Sequence, residues 1–225
     1  MSDARGQLAS PGAVLERPRL RGVLHQWAFF ISVVLGTLLV TFSPAGEART
    51  ATLVYALAVC GLFGVSALYH RVTWRPRARR WMRRLDHAMI FVLIAGTYTP
   101  FGILVLEGTL AVVVLAILWG GAVAGVLLKL AWADAPKWLM AVTYIALGWV
   151  VVIAMPQLGS RLGLGAVALI IGGGTAYTAG AVIYARQRPN PAPKVFGYHE
   201  IFHALVIVAA AAHFVAVAFF ALPGA

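Results

Sequence analysis

The stretch TLAVVVLAILWGGAVAGVLLKLA, residues 109–131, decides the fold. It carries no charge from Thr109 to Leu128, and a helix of that length rises about 30 Å, the thickness of a bilayer's hydrocarbon core. A helix on the surface of a soluble domain keeps one polar face, whereas this stretch is apolar all round. Similar runs lie at 23–42, 50–70, 87–106, 138–155, 162–185 and 200–221. Extended strands are excluded, because the runs are continuously apolar rather than alternating and unpaired backbone is not tolerated in lipid. The expectation is an all-α, integral membrane bundle of seven transmembrane helices.

The rest of the composition agrees. With 61% hydrophobic and 11% charged residues, the chain holds more apolar surface than one soluble core of this size can bury. Residues 1–22, rich in Pro, Gly and Arg, read as a flexible basic cytoplasmic tail, and 23–221 as the transmembrane domain. The first run is longer than the core of a secretory signal, about 7–15 residues, and is read as a helix that stays. Cys60, the one cysteine, lies inside an apolar run, so no disulfide framework or thiolate metal cluster is expected. No internal repeat is detected.

A net charge of +11 invites a nucleic-acid reading until the charges are placed. With the amino terminus in the cytoplasm, sixteen of the eighteen Lys and Arg residues fall on inner segments, and only Arg49 and Arg161 fall outside. That asymmetry is the positive-inside signature of a multi-pass protein of the inner (plasma) membrane. It assigns the basic residues to orientation and to contact with anionic membrane lipids rather than nucleic acid. Trp27, Trp74, Trp81, Trp132 and Trp138 lie near the predicted boundaries, as interface anchors do.

Ionisable residues at helix ends are costly in a membrane and therefore informative. His70 closes the second predicted helix, Asp86 and His87 open the third, and His199, Glu200 and His203 open the seventh, all on the cytoplasmic side. His199 and His203 are one turn apart, separated by about 40° of rotation and about 6 Å of rise, so both imidazoles leave one face of the helix. Such a pair can chelate a metal ion, and His70, at the same depth, is the candidate third ligand of an open zinc-type site. Ser66 lies one turn before His70, and Asp86 sits at matching depth; either can orient a ligand or hold water at an open coordination position. His87 points about 100° away from Asp86 and is read as interfacial or as a support to a ligand. His25 is read as a headgroup contact, Glu200 as an interface residue and His213 as a helix-packing hydrogen bonder. Gly96-Thr97-Tyr98-Thr99-Pro100 is expected to break or kink the third helix, and Gly172-Gly173-Gly174 to mark a close approach of the sixth.

Three motifs together, Ser66-Ala67-Leu68-Tyr69-His70, Leu85-Asp86-His87 with Ala95-Gly96-Thr97-Tyr98-Thr99-Pro100, and His199-Glu200-Ile201-Phe202-His203, resemble the bacterial hemolysin III group within the progestin and adipoQ receptors. The resemblance covers about residues 20–221. It implies a seven-helix fold with zinc near the cytoplasmic ends of helices two, three and seven, ligated by His70, His199 and His203 and supported by Ser66 and Asp86. Because receptor members resemble alkaline ceramidases at this site, it implies hydrolysis of a lipid amide, with a membrane lipid as substrate and Asp86 and Ser66 as catalytic residues. The bacterial branch is also tied to haemolysis and to membrane-fluidity homeostasis. Three functions follow as alternatives: a zinc-dependent lipid hydrolase, a non-enzymatic sensory or homeostatic protein with structural zinc, and a cytolysin. The large amino-terminal domain of the animal receptors is missing from this sequence, so hormone binding is not carried over.

Overall fold

The computed structural model describes residues 18–224, and among them the chain is helical throughout apart from short connections. The helices are α1 (Val23–Phe42), α2 (Glu47–Arg71), α3 (Pro76–Leu104), α4 (Gly108–Ala131), α5 (Lys137–Gly148), α6 (Met155–Arg186) and α7 (Tyr198–Ala216). A 3₁₀ segment, Trp149–Ala154, continues α5 into α6, and α7 ends in a wider π turn, Val217–Ala221. Residues 1–17 of the expected tail lie outside the described residues.

The distribution of side chains is that of a membrane protein. Trp27, Phe42, Leu57, Val112, Leu164 and Phe219 face outward, each more than 60% exposed, while Ser66, Thr97 and His203 are buried. Apolar surface of that extent is stable only where hydrocarbon is the solvent. The all-α membrane bundle expected from the sequence is what the chain forms.

The helix count differs. Six stretches are long and apolar enough to cross a membrane, not seven, because the spans expected at 138–155 and 162–185 fall within one run, Lys137–Arg186, of 50 residues. A straight helix of that length would extend about 75 Å, more than twice a hydrocarbon core. Gly163 folds the run double: at φ 79° and ψ 175° it is the one non-helical residue inside α6. That backbone conformation is costly for residues with a Cβ and free for glycine. The two legs then lie side by side, with Trp149 Nε1 donating to Thr178 Oγ1 at 2.9 Å.

Packing between helices relies on small residues. A Cβ on Gly96 would stand 2.3 Å from the Cβ of Ala58 in α2, and one on Gly173 would stand 2.6 Å from His213 Cε1 in α7. Lipid supplies no hydrophobic drive for helices to associate, so close approach of backbones carries the attraction. The close approach expected at the triple glycine is therefore found at Gly173. Of the break or kink expected at Gly96–Pro100, no break is found: α3 runs through Pro100 to Leu104. One missing amide is a tolerable loss where a neighbouring helix packs hard against the segment.

The basic residues gather at one end. Arg19 N donates to Lys194 O at 3.0 Å and Leu20 N to Val195 O at 3.3 Å, which ties the entry of α1 to the α6–α7 connection. Arg21 pairs with Glu200 of α7, and Arg83 of α3 with Asp134 of the α4–α5 connection. At the opposite end Arg161 pairs with Glu107. Two outcomes are expected. Reporter fusions after Arg84 and Arg188 give cytoplasmic signals and fusions after Glu47 and Leu222 give external ones; a periplasmic signal from the Arg71–Arg84 segment would invert the assignment. Gly96→Val lowers stability by about 1–3 kcal/mol through overpacking, whereas Gly120→Ala, with open space around its Cβ position, leaves the melting temperature unchanged.

Candidate metal centre

Two helix ends build the site. Ser66 and His70 share one face of the last turns of α2, and His199 and His203 share one face of the first turns of α7. The start of α7 is fixed by Glu200, which accepts from the backbone N–H of Gly197 at 2.8 Å and from Arg21 Nε at 2.5 Å. Glu200 has no solvent exposure. The sequence reading of Glu200 as an interface residue is therefore corrected: it is buried and caps the helix that carries the two histidines.

The ligand atoms of His70, His199 and His203 all lie within 4.8 Å of one another. The Nε2 atoms of His70 and His199 are 3.2 Å apart. Tetrahedral zinc with bonds of 2.0–2.1 Å separates its nitrogen ligands by about 3.3 Å, so the His70–His199 pair stands at the spacing that one ion imposes, and the third imidazole lies within reach of it. These three histidines could hold a metal ion, and an all-imidazole set suits zinc, copper or nickel. Neither carboxylate nor thiolate joins the cluster among the described residues.

Around the triad the polar groups are ordered. Ser66 Oγ is 2.9 Å from His25 Nδ1, and Ser66 and Asp86 line one cavity. Asp86 lines the same cavity as His199 and His203 without entering their cluster. His87 is engaged elsewhere, with Nδ1 at 2.9 Å from Arg83 O and Nε2 at 3.0 Å from the Tyr184 hydroxyl. Its Nδ1 also lies 3.4 Å from Asp86 Oδ2, although the two side chains leave the helix about 100° apart.

Two histidines depart from their sequence reading. His25 does not reach the headgroups: it is 2% exposed and its ring stacks on His203, with centroids 3.7 Å apart. The signal that would have placed it is the stripe His25, Ala28, Ser32, Gly36 and Leu39, the buried face of α1, three of whose members are small. His213 packs between helices as expected, against Gly173 and stacked on Tyr177 at 5.7 Å, but its ring nitrogens find no hydrogen-bond partner among the described residues.

Two cavities meet at the triad. A narrow one of about 90 Å³ runs from Ser66, Asp86 and His203 to Thr97, Tyr177 and His213, between apolar walls that include Leu62, Ile94 and Val206. His203 and His213 are ten residues apart on α7, which makes this cavity about 15 Å long. A wider one of about 440 Å³ opens at the basic end and reaches His70 and His199.

The comparisons with known proteins agree with the motifs. The profile of the family described as "Haemolysin-III related" matches residues 14–214. Hemolysin-3 of Bacillus cereus is 32% identical over 193 residues, 84% of this chain and 85% of that protein. The Hemolysin-3 homolog of Bacillus subtilis (strain 168) is 31% identical over 167 residues, covering 74% of this chain and 75% of its own length. The human monocyte to macrophage differentiation factor is 25% identical over 197 residues, 86% of this chain and 79% of that protein. With a match that takes in both helix ends of the triad, this multi-pass membrane protein belongs to the haemolysin-III related family.

Proposed function

We propose that the chain is a zinc-dependent hydrolase of a membrane lipid amide, with His70, His199 and His203 as ligands and Asp86 and Ser66 as catalytic residues. One observation carries the reading: three imidazoles converge while the nearby carboxylate of Asp86 stays outside their cluster, at the head of an apolar cavity. Catalytic zinc sites have three protein ligands and an open position, and structural sites have four.

A zinc ion in this site would supply a Lewis acid that polarises the substrate carbonyl and lowers the pKa of water. The chain's own groups do the rest. The narrow cavity takes the acyl chain and excludes bulk water from the carbonyl at its head. Asp86 accepts a proton from the attacking water as its oxygen bonds to the acyl carbon, then passes that proton to the amide nitrogen as the C–N bond breaks. Fatty acid and amine leave. Ser66, held by His25 and lining the same cavity as Asp86, orients the carboxylate toward the reacting carbon.

Purified protein is expected to carry about one zinc per chain, and His70→Ala, His199→Ala or His203→Ala each to remove most of it. His213→Ala keeps its metal. Full metal content in the three ligand variants would mean a different ligand set.

Asp86→Asn separates this reading from a sensory or homeostatic protein with structural metal. Fatty-acid release from a panel of N-acyl lipids should fall by about 10²-fold or more, with zinc content and melting temperature unchanged. If the wild-type protein is metallated and folded yet releases nothing, and Asp86→Asn loses its metal, the carboxylate is a structural ligand and the hydrolase reading fails.

A further inference from the structure

The basic residues at the cytoplasmic end divide into two sets. Arg71, Arg75, Arg77 and Arg80 are exposed, as residues that only set orientation should be. Arg21, Arg79, Arg83 and Lys129 instead turn into the wider cavity, which the exposed Lys137 also lines. Lys129 is 3% exposed, and Arg21, Arg79 and Arg83 are partly buried. Orientation in the membrane does not require cations to turn inward, and burying them without matching acids is costly.

The acids on hand are too few. Five cations stand against Asp134 and Glu200, and those two are already paired with Arg83 and Arg21. Lys129 spends one donor on Ala133 O at 2.7 Å, and Lys137 Nζ sits 5.3 Å and 5.7 Å above the rings of Tyr184 and Tyr198. A small anion between Arg79, Lys129 and Lys137 would meet uncompensated positive charge and several N–H donors. The cavity also touches His70 and His199, while the apolar cavity continues from His199 and His203 into the membrane. The histidine triad thus stands where a charged compartment meets an apolar one.

We infer that the wider cavity is the headgroup site for an anionic amphiphile, whose acyl chain lies in the narrow cavity and whose phosphate or carboxylate lies among Arg79, Lys129 and Lys137. Combined with the hydrolase reading, on which this last step rests, the substrate class is an N-acyl lipid with an acidic group on its amine side. Hydrolysis then frees a zwitterionic amine. An N-acylated amino alcohol without an acidic group would free a cation into a compartment already rich in cations.

The test is a calorimetric titration of the full chain, in a neutral detergent, with dodecyl phosphate, dodecyltrimethylammonium and inorganic phosphate. Dodecyl phosphate should bind at least about tenfold more tightly than either of the others, and Arg79→Gln or Lys137→Gln should each weaken it about fivefold. Arg77→Gln and Arg80→Gln should leave it unchanged. Equal binding of the two amphiphiles would overturn the inference, as would equal losses in the Arg77 and Arg80 variants. Inorganic phosphate binding as tightly as dodecyl phosphate would make the ligand a free anion and overturn the lipid assignment. A preserved anion preference with no fatty-acid release would sink the hydrolase alone, and release without charge preference would sink this inference alone.

Discussion

Hydrocarbon offers neither donors nor acceptors, so every polar side chain that enters it must find a partner inside the protein. Most of this architecture answers that demand. The outer surface is given over to residues such as Phe42, Leu57 and Phe219, while His25, Ser66, His199, Glu200 and His203 are buried inside. None of these helix ends could hold its polar residues alone. His25 leans on Ser66, His70 on His199, and Glu200 on both Arg21 and the first backbone turn of α7. A polar network in lipid is stable only when nearly complete, which makes the site and the packing of α1, α2, α3 and α7 one structure rather than two.

Depth was legible in the sequence and rotation was not. Counting basic residues between apolar runs places His70, Asp86 and His199 at one level without any knowledge of contacts. The direction a side chain takes around its helix needs an amphipathic pattern, and α1 lacks a strong one because lipid and neighbouring helices ask for the same apolar residues. His25 was misplaced for that reason. Its stripe of Ala28, Ser32 and Gly36 does encode the buried face, but by size rather than polarity. Glu200 was misread although its signal is local: it stands three residues after Gly197, the spacing of a capping pair. The fifth and sixth spans run together because a single glycine, Gly163, makes the turn that a polar loop usually makes.

His213 shows the same limit from the other side. Ten residues along a helix fixes its depth well, and the structure finds it deep, at the far end of the narrow cavity. Hydrogen bonding was expected because a lone imidazole in lipid ought to be satisfied. Its neighbours are instead the face of Tyr177 and the edge of Tyr98, ring contacts that fill space without satisfying the nitrogens. The inner end of the cavity therefore holds polar atoms with spare bonding capacity, Tyr177 Oη among them. Such atoms favour water or a polar group of a bound molecule over a purely apolar filling.

Charge accounting links the triad to its surroundings. Neutral imidazoles donate to a divalent ion without cancelling its charge, unlike thiolates or carboxylates. An ion held by His70, His199 and His203 would stand beside a compartment already lined by five cationic side chains. Of the acids at this end, Asp134 and Glu200 are paired with Arg83 and Arg21, which leaves Asp86 as the carboxylate nearest the triad's own cavity. One carboxylate cannot neutralise both a dication and the excess of lysine and arginine. A compartment with so large a surplus is poised for an anion from outside the protein, and its position at the mouth of an apolar cavity makes an amphiphilic anion the species that satisfies both halves.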